Sequence, residues 1–237
     1  GFLDDIRDLS ASSRLVAQLT LALSGCWLLL CPVVDAAFLP MIGLMLGGTI
    51  FVAGYINAFN FMDGINGISA VSACLAGCWF VLLGQDVGDR GLSMGGALLA
   101  GAAIGFMPWN YPSAKVFLGD VGSYGLGMLI AILAVWAAAG GVSAWQAIAP
   151  LALYIADTSW TLAKRILRGS SWRVAHREHT YQLLLGGRLT HAGVTIMVGL
   201  ATALLCAIAW VLPELIAIPI SLTILAAYLV SPRILCR

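Results

Sequence analysis

Residues 38–67 read FLPMIGLMLGGTIFVAGYINAFNFMDGING. Positions 38–56 are apolar over a length that carries a helix across the roughly 30 Å hydrocarbon core of a bilayer. The run then changes character, and Asn57, Asn60, Asp63 and Asn66 follow at strict three-residue spacing. On a helix each such step turns the side chain by about −60°, so the first three are expected on one arc roughly 120° wide. Amides and carboxylates are costly at membrane depth and mark a pathway or a site.

The rest of the chain extends this pattern. Of its 237 residues, 61% are hydrophobic and only 10% charged. The mean hydropathy of +0.97 excludes an ordinary soluble domain. Apolar stretches at 15–34, 38–56, 68–84, 92–108, 121–140, 145–164, 191–212 and 214–231 are each near the length needed to span. Continuous apolar runs satisfy their backbone in lipid as helices, so the expected fold is an all-α, polytopic transmembrane bundle of about eight spans. Residues 1–237 read as a single integral-membrane domain. The chain opens on Gly1 and runs directly into Phe2-Leu3-Asp4-Asp5, which reads as the interior of a longer protein.

A net charge of +1 gives no reason to expect a nucleic-acid partner, but the placement of charge is informative. If the N-terminal segment is cytoplasmic and each span crosses once, Arg7, Arg14, Lys115, Lys164, Arg165, Arg168, Arg173, Arg177, Arg188, Arg233 and Arg237 fall inside. Of the twelve Lys and Arg residues only Arg90 falls outside. That asymmetry supports the span count and the orientation together. Cys26, Cys31, Cys74, Cys78, Cys206 and Cys236 are scattered, with no Cys-x-x-Cys pair, and read as small core residues. No signal peptide is visible.

The same topology puts four polar segments on the cytoplasmic face. The first, 1–14, carries Asp4, Asp5 and Asp8, which suit either a cation-assisted phosphate site or the acidic start of a helix. The second, 57–67, offers hard oxygen ligands suited to magnesium, with Gly64 and Gly67 allowing close backbone approach. Its plainer reading is an interhelical hydrogen-bond cluster. The third, Lys115-Val-Phe-Leu-Gly119-Asp120-Val-Gly122-Ser123, precedes an apolar helix and suits phosphate binding, or a plain N-cap from Asp120 or Ser123. The fourth, His176-Arg177-Glu178-His179, lies in a basic loop that suits phosphates or lipid headgroups. Asp157, inside a span, is either functional or paired with a nearby basic residue.

In this order, Phe2-Leu3-Asp4-Asp5, Asn57-Ala-Phe-Asn60-Phe-Met-Asp63-Gly64-Ile-Asn66-Gly67, Phe117-Leu-Gly119-Asp120-Val-Gly122-Ser123 and His176-Arg177-Glu178-His179 resemble a known family. It is that of the polyprenyl-phosphate N-acetylhexosamine-1-phosphate transferases, glycosyltransferase family 4. Pro108-Trp109-Asn110 and the His-Arg-x-His-x-Tyr-Gln pattern look most like its O-antigen-initiating branch. The resemblance implies an enzyme of the bacterial cytoplasmic membrane with its active site on the cytoplasmic face. It implies transfer of sugar-1-phosphate from a UDP-N-acetylhexosamine to undecaprenyl phosphate, with release of UMP and a need for Mg2+, or Mn2+ in its place. By the same resemblance Asp120 and Asn60 hold the metal, and Asp63 contacts nucleotide or metal. Asp4 and Asp5 face the lipid phosphate, Arg14 holds its charge, and Phe117 stacks on uracil. His176 and His179 bind the donor phosphates, with Arg177, Asn57, Asn66, Lys115 and Gly119 completing the substrate-binding set. A homodimer is the family tendency.

Two departures stand out. Asn66 stands where many bacterial members carry aspartate, and the family has ten or eleven spans where eight are readable, so two or three N-terminal helices are expected to be missing. The sugar, whether GlcNAc, FucNAc or QuiNAc, is not readable. A broken-helix transporter with the Asn/Asp arc along an ion path is the alternative, and predicts acidic residues through the membrane depth and an internal repeat. A non-catalytic scaffold subunit is a third reading.

Overall fold

The computed structural model describes residues 10–31, 38–169, 177–187 and 189–235. In chain order the helices are α1 (Ala11–Leu30), α2 (Phe38–Met62), α3 (Ile68–Asp86), α4 (Arg90–Asn110) and α5 (Gly119–Ala139). Then come α6 (Ala144–Ile148), a 3-10 turn (Ala149–Leu151), α7 (Ala152–Leu167), α8 (Thr180–Leu185), α9 (His191–Val211) and α10 (Glu214–Leu235). Polar side chains start several of them. The hydroxyl of Ser10 accepts from the Ser13 amide at 3.2 Å, and the Asp89 carboxylate accepts from the Leu92 amide at 2.9 Å. Both satisfy N–H groups that have no partner within the helix.

Seven helices among the described residues are long and apolar enough to cross a membrane. The chain is an all-α, multi-pass membrane bundle. The expected sixth span, 145–164, is not one helix: it is broken into α6, the 3-10 turn and α7. Pro150 sits in that turn, and a proline can neither donate an amide nor avoid the carbonyl four residues back. α2 in turn runs past the expected end of its span, as far as Met62. Asn57 and Asn60 therefore belong to the helix itself.

The surface is apolar, with Leu28, Leu98, Leu200 and Leu215 all prominently exposed, as a lipid-facing bundle requires. With lipid as apolar as leucine, helix association rests on close packing of small residues. α3 and α4 show this most clearly. A Cβ on Gly77 would lie 2.5 Å from the Ala100 nitrogen, and one on Gly96 would lie 2.6 Å from the Gly77 carbonyl. At one end of the bundle Asp89 accepts from the Trp136 indole at 2.8 Å, and Gln146 links Trp79 to Ala209. The polar segments described below lie at the other.

One buried carboxylate ties three helices together. Asp157, on α7, is fully buried. It accepts from the backbone amides of Thr180 at 2.9 Å and Tyr181 at 3.3 Å, and from the Tyr228 hydroxyl of α10 at 2.8 Å. Nδ1 of His179 and the Thr161 hydroxyl each stand 3.3 Å from it. The basic partner expected for Asp157 is thus His179, joined by four further donors.

Substituting Gly96→Leu should force α3 and α4 apart and lower the melting temperature in detergent by several degrees, since overpacking costs about 1–3 kcal/mol; an unchanged melting curve contradicts the close approach. Asp157→Ala strands its donors and should cost roughly 3–5 kcal/mol, against about 1 kcal/mol for Tyr228→Phe. Equal loss from the two substitutions contradicts the view of Asp157 as the shared anchor.

Candidate active site

The polar run 57–67 begins as helix and ends as a turn. α2 stops at Met62, the Asp63 amide donates to the Asn60 carbonyl at 3.1 Å, and Gly67 at φ 80° opens α3. A φ of that sign suits glycine and strains other residues. The arc expected for the first three residues holds only for Asn57 and Asn60, which lie within α2 but meet different neighbours. The Asn57 amide donates to Gln18 of α1 at 2.7 Å and to the Ala53 carbonyl at 2.8 Å. Asn60 faces α5 instead, and Asp63 already lies beyond the helix. Three-residue spacing keeps its helical meaning only as far as Met62.

Asn60 makes the central contact. Its amide nitrogen donates to Oδ1 of Asp120 and to the Ser123 hydroxyl, both at 2.8 Å. Neither Asp120 nor Ser123 caps α5: the helix starts after Leu118 with Gly119 at φ 64°, Asp120 lies in the first turn, and Ser123 is fully buried. The Tyr124 hydroxyl hydrogen-bonds both Asp120 and Arg14, which brings α1 to the site. Across the cavity Asp63 accepts from the Ser69 hydroxyl at 2.6 Å. Burial pushes the Asp63 carboxyl above its ordinary range, the Ser69 bond opposes that, and the nearby Asp120 charge adds to it.

The turn after Asp63 is pinned from two directions. The Gly67 amide donates to Oδ1 of Asn110 at 2.7 Å, while the Asn110 amide donates to the Val116 carbonyl at 2.9 Å. Asn66 donates through its side chain to the Pro112 carbonyl at 3.2 Å. Its backbone amide donates to Nδ1 of His191 at 3.2 Å, and its carbonyl accepts from Thr195 at 2.8 Å. The Tyr181 hydroxyl donates to the Phe61 carbonyl at 2.9 Å and fills the space a side chain on Gly64 would need. Burial, then the Asp157 charge, raises the Tyr181 hydroxyl well above the phenol range, so it stays a donor.

These elements enclose a cavity of about 440 Å³ lined by Asn60, Asp63, Asn66, Asn110, Phe117, Gly119, Asp120 and His191, among others. Phe117, 78% exposed, stands at its rim. Asn57, Lys115, Arg177 and His179 do not line it. Lys115 and Arg177 are exposed, and His179 is buried against Asp157. Two arginines of the basic segment are engaged by Glu178, Arg165 at 2.6 Å and Arg168 at 3.8 Å. Asp4, Asp5, Asp8 and His176 lie outside the described residues. Sequence reasoning missed Ser69, Asn110, Tyr181 and His191 as parts of the site. Asn110 stands in the Pro108-Trp109-Asn110 motif, and His191 follows Thr190 as an ordinary helix start.

The donor set fits a divalent cation of the magnesium class. Two carboxylates, Asp63 and Asp120, face one cavity closely enough for one to raise the other, which a shared cation relieves. Among the described residues no group of three His, Cys, Asp or Glu is assembled. Two carboxylates suit magnesium, which takes one or two of them and completes its shell with water and substrate phosphate.

Known proteins resemble this chain along most of its length. It is 33% identical to the phospho-N-acetylmuramoyl-pentapeptide-transferase of a Synechococcus species, over 89% of this chain and 66% of that one. It is 28% identical to the decaprenyl-phosphate N-acetylglucosaminephosphotransferase of Mycolicibacterium smegmatis, over 84% of this chain and 56% of the relative. The undecaprenyl-phosphate alpha-N-acetylglucosaminyl 1-phosphate transferase of Thermotoga maritima is 32% identical over 57% of this chain and 40% of its own. The chain spans 40–66% of the length of these three relatives. Residues 1–138, more than half of the chain, match the glycosyl transferase family 4 model, and the chain belongs to that family.

Proposed function

We propose that this protein transfers N-acetylhexosamine-1-phosphate from a UDP-sugar to undecaprenyl phosphate, yielding undecaprenyl-diphosphate-sugar and UMP. The observation that carries the reading is the single cavity in which Asn60 holds Asp120, Ser69 holds Asp63, and glycines keep the backbone low. The names of the relatives support it, and those relatives act on polyprenyl phosphates. Eleven of the twelve basic residues favour placing this end of the bundle on the cytoplasmic side of the bacterial inner membrane. The confinement of Asp63 and Asp120 to one end disfavours an ion path through the bilayer.

A phosphate monoester has a second pKa near 6, so the lipid acceptor reaches the site mostly as a dianion. Its oxygen attacks the sugar-bearing phosphorus, and the bond to UMP breaks with the electron pair leaving on the UMP oxygen. The obstacle is repulsion between two anions rather than the making of a nucleophile. A magnesium ion held by Asp120 and Asp63, with Asn60 fixing Asp120, would neutralise charge on the diphosphate. Arg14, held beside Asp120 through Tyr124, answers the charge of the incoming phosphate. Phe117 offers its exposed ring for stacking by uracil, while Asp4 and Asp5 orient the acceptor. Arg177 and Lys115, both exposed, offer positive charge to the anionic substrates, His176 is assigned to the donor phosphates, and His179 is held by Asp157 beside Thr180. Initiation of an O-antigen or related envelope glycan is the pathway role we favour, with a homodimer as the assembled form.

Purified protein given UDP-GlcNAc, undecaprenyl phosphate and magnesium should release UMP. Asp120→Asn should lower kcat by about 10²–10³, the scale for losing a group that stabilises developing charge. Asn60→Ala should lose about 10–100-fold, as for partners that orient a ligating carboxylate. Near-normal UMP release from Asp120→Asn removes the assignment, and sugar uptake without UMP release would establish transport instead. A panel of UDP-GlcNAc, UDP-FucNAc and UDP-QuiNAc, followed by UMP release, should show one preferred donor.

A further inference from the structure

α9 begins beyond the residues that match the family model, yet its first turn enters the cavity. His191 and Thr195, one turn apart, hold the two ends of the same residue: Nδ1 of His191 accepts the Asn66 amide and Thr195 donates to the Asn66 carbonyl. A backbone amide can only donate, so Nδ1 presents its lone pair and the neutral ring carries its proton on Nε2. Among the described residues no group meets Nε2. The ring is half-buried and lines the same cavity as Asp63, Asn66, Asn110, Phe117 and Asp120.

We propose that His191 is a donor-binding residue whose Nε2 N–H hydrogen-bonds an oxygen of the sugar nucleotide, while its Nδ1 locks the turn that carries Asp63. This rests on the transferase reading above. The same bond that fixes the tautomer also fixes the ring plane, so the free donor is oriented before substrate arrives. A cavity with two carboxylates repels most of a nucleotide's oxygens, and a neutral, fixed N–H is a compatible donor there. The residue acts in binding rather than in bond making, so its loss should move affinity for the UDP-sugar and leave the lipid acceptor unaffected.

Two substitutions separate the two nitrogens. His191→Asn places an acceptor near the Nδ1 position and nothing at Nε2; His191→Gln reaches the Nε2 position with an amide donor. UDP-GlcNAc binding to the purified protein, by calorimetry with magnesium present, should weaken about fivefold to tenfold in His191→Asn, the scale of one lost neutral hydrogen bond. It should recover to within about threefold of the unaltered protein in His191→Gln, and KM for undecaprenyl phosphate should not change in His191→Asn. Unaltered UDP-GlcNAc affinity in His191→Asn overturns the assignment. So does equal weakening toward both substrates, which marks a structural role alone. Binding of UDP-GlcNAc without UMP release by the unaltered protein sinks the transferase reading but not the assignment of His191; no binding at all sinks both.

Discussion

The amide of Asn60 donating to Asp120 at 2.8 Å is the contact on which the rest of the site depends. It joins α2 to α5, two spans that are 60 residues apart at this point. A carboxylate drawn out of water must find donors or lose its charge, and at the end of a lipid-embedded bundle those donors must come from neighbouring helices. Asn60 supplies one, and Tyr124 brings the Arg14 side of α1 to the same group. Asp63 is placed opposite with the Ser69 hydroxyl as its own donor. Two partly desolvated carboxylates facing one cavity are an unfavourable arrangement for a bare protein and a favourable one for a cation with anionic ligands.

The C-terminal half, beyond residues 1–138, completes this arrangement rather than merely flanking it. Thr195 and His191 hold Asn66 from α9, and Tyr181 of α8 fills the space beside Gly64. Asp157 anchors the backbone of Thr180 and Tyr181 and, through Tyr228, the last helix. A chain of hydrogen bonds therefore runs from α10 through Asp157 and Tyr181 to the carbonyl of Phe61, two residues before Asp63.

Much of this was legible in the sequence, for identifiable reasons. Apolar runs of spanning length report membrane helices directly, and seven of the eight expected spans appear as single helices. Asp63 and Asp120 could be named because ionisable groups are rare in such a composition. The sixth, 145–164, does not, because hydropathy does not register Pro150, whose missing amide breaks the helix. The common arc expected for Asn57, Asn60 and Asp63 holds for the two asparagines, which lie within α2, and stops short of Asp63, because the helix ends at Met62. Asn110 and His191 were illegible as site residues because their roles depend on pairings across 43 and 125 residues. Sequence spacing carries no record of such contacts.

The central claim is that Asp63 and Asp120 face one cavity and share one divalent ion there. Manganese(II) titration of the purified protein with UDP present, followed by electron paramagnetic resonance, tests it most directly. The account requires one tightly bound ion per chain, with affinity reduced at least about tenfold by Asp63→Asn and by Asp120→Asn alike. Binding that survives both substitutions unchanged would contradict it.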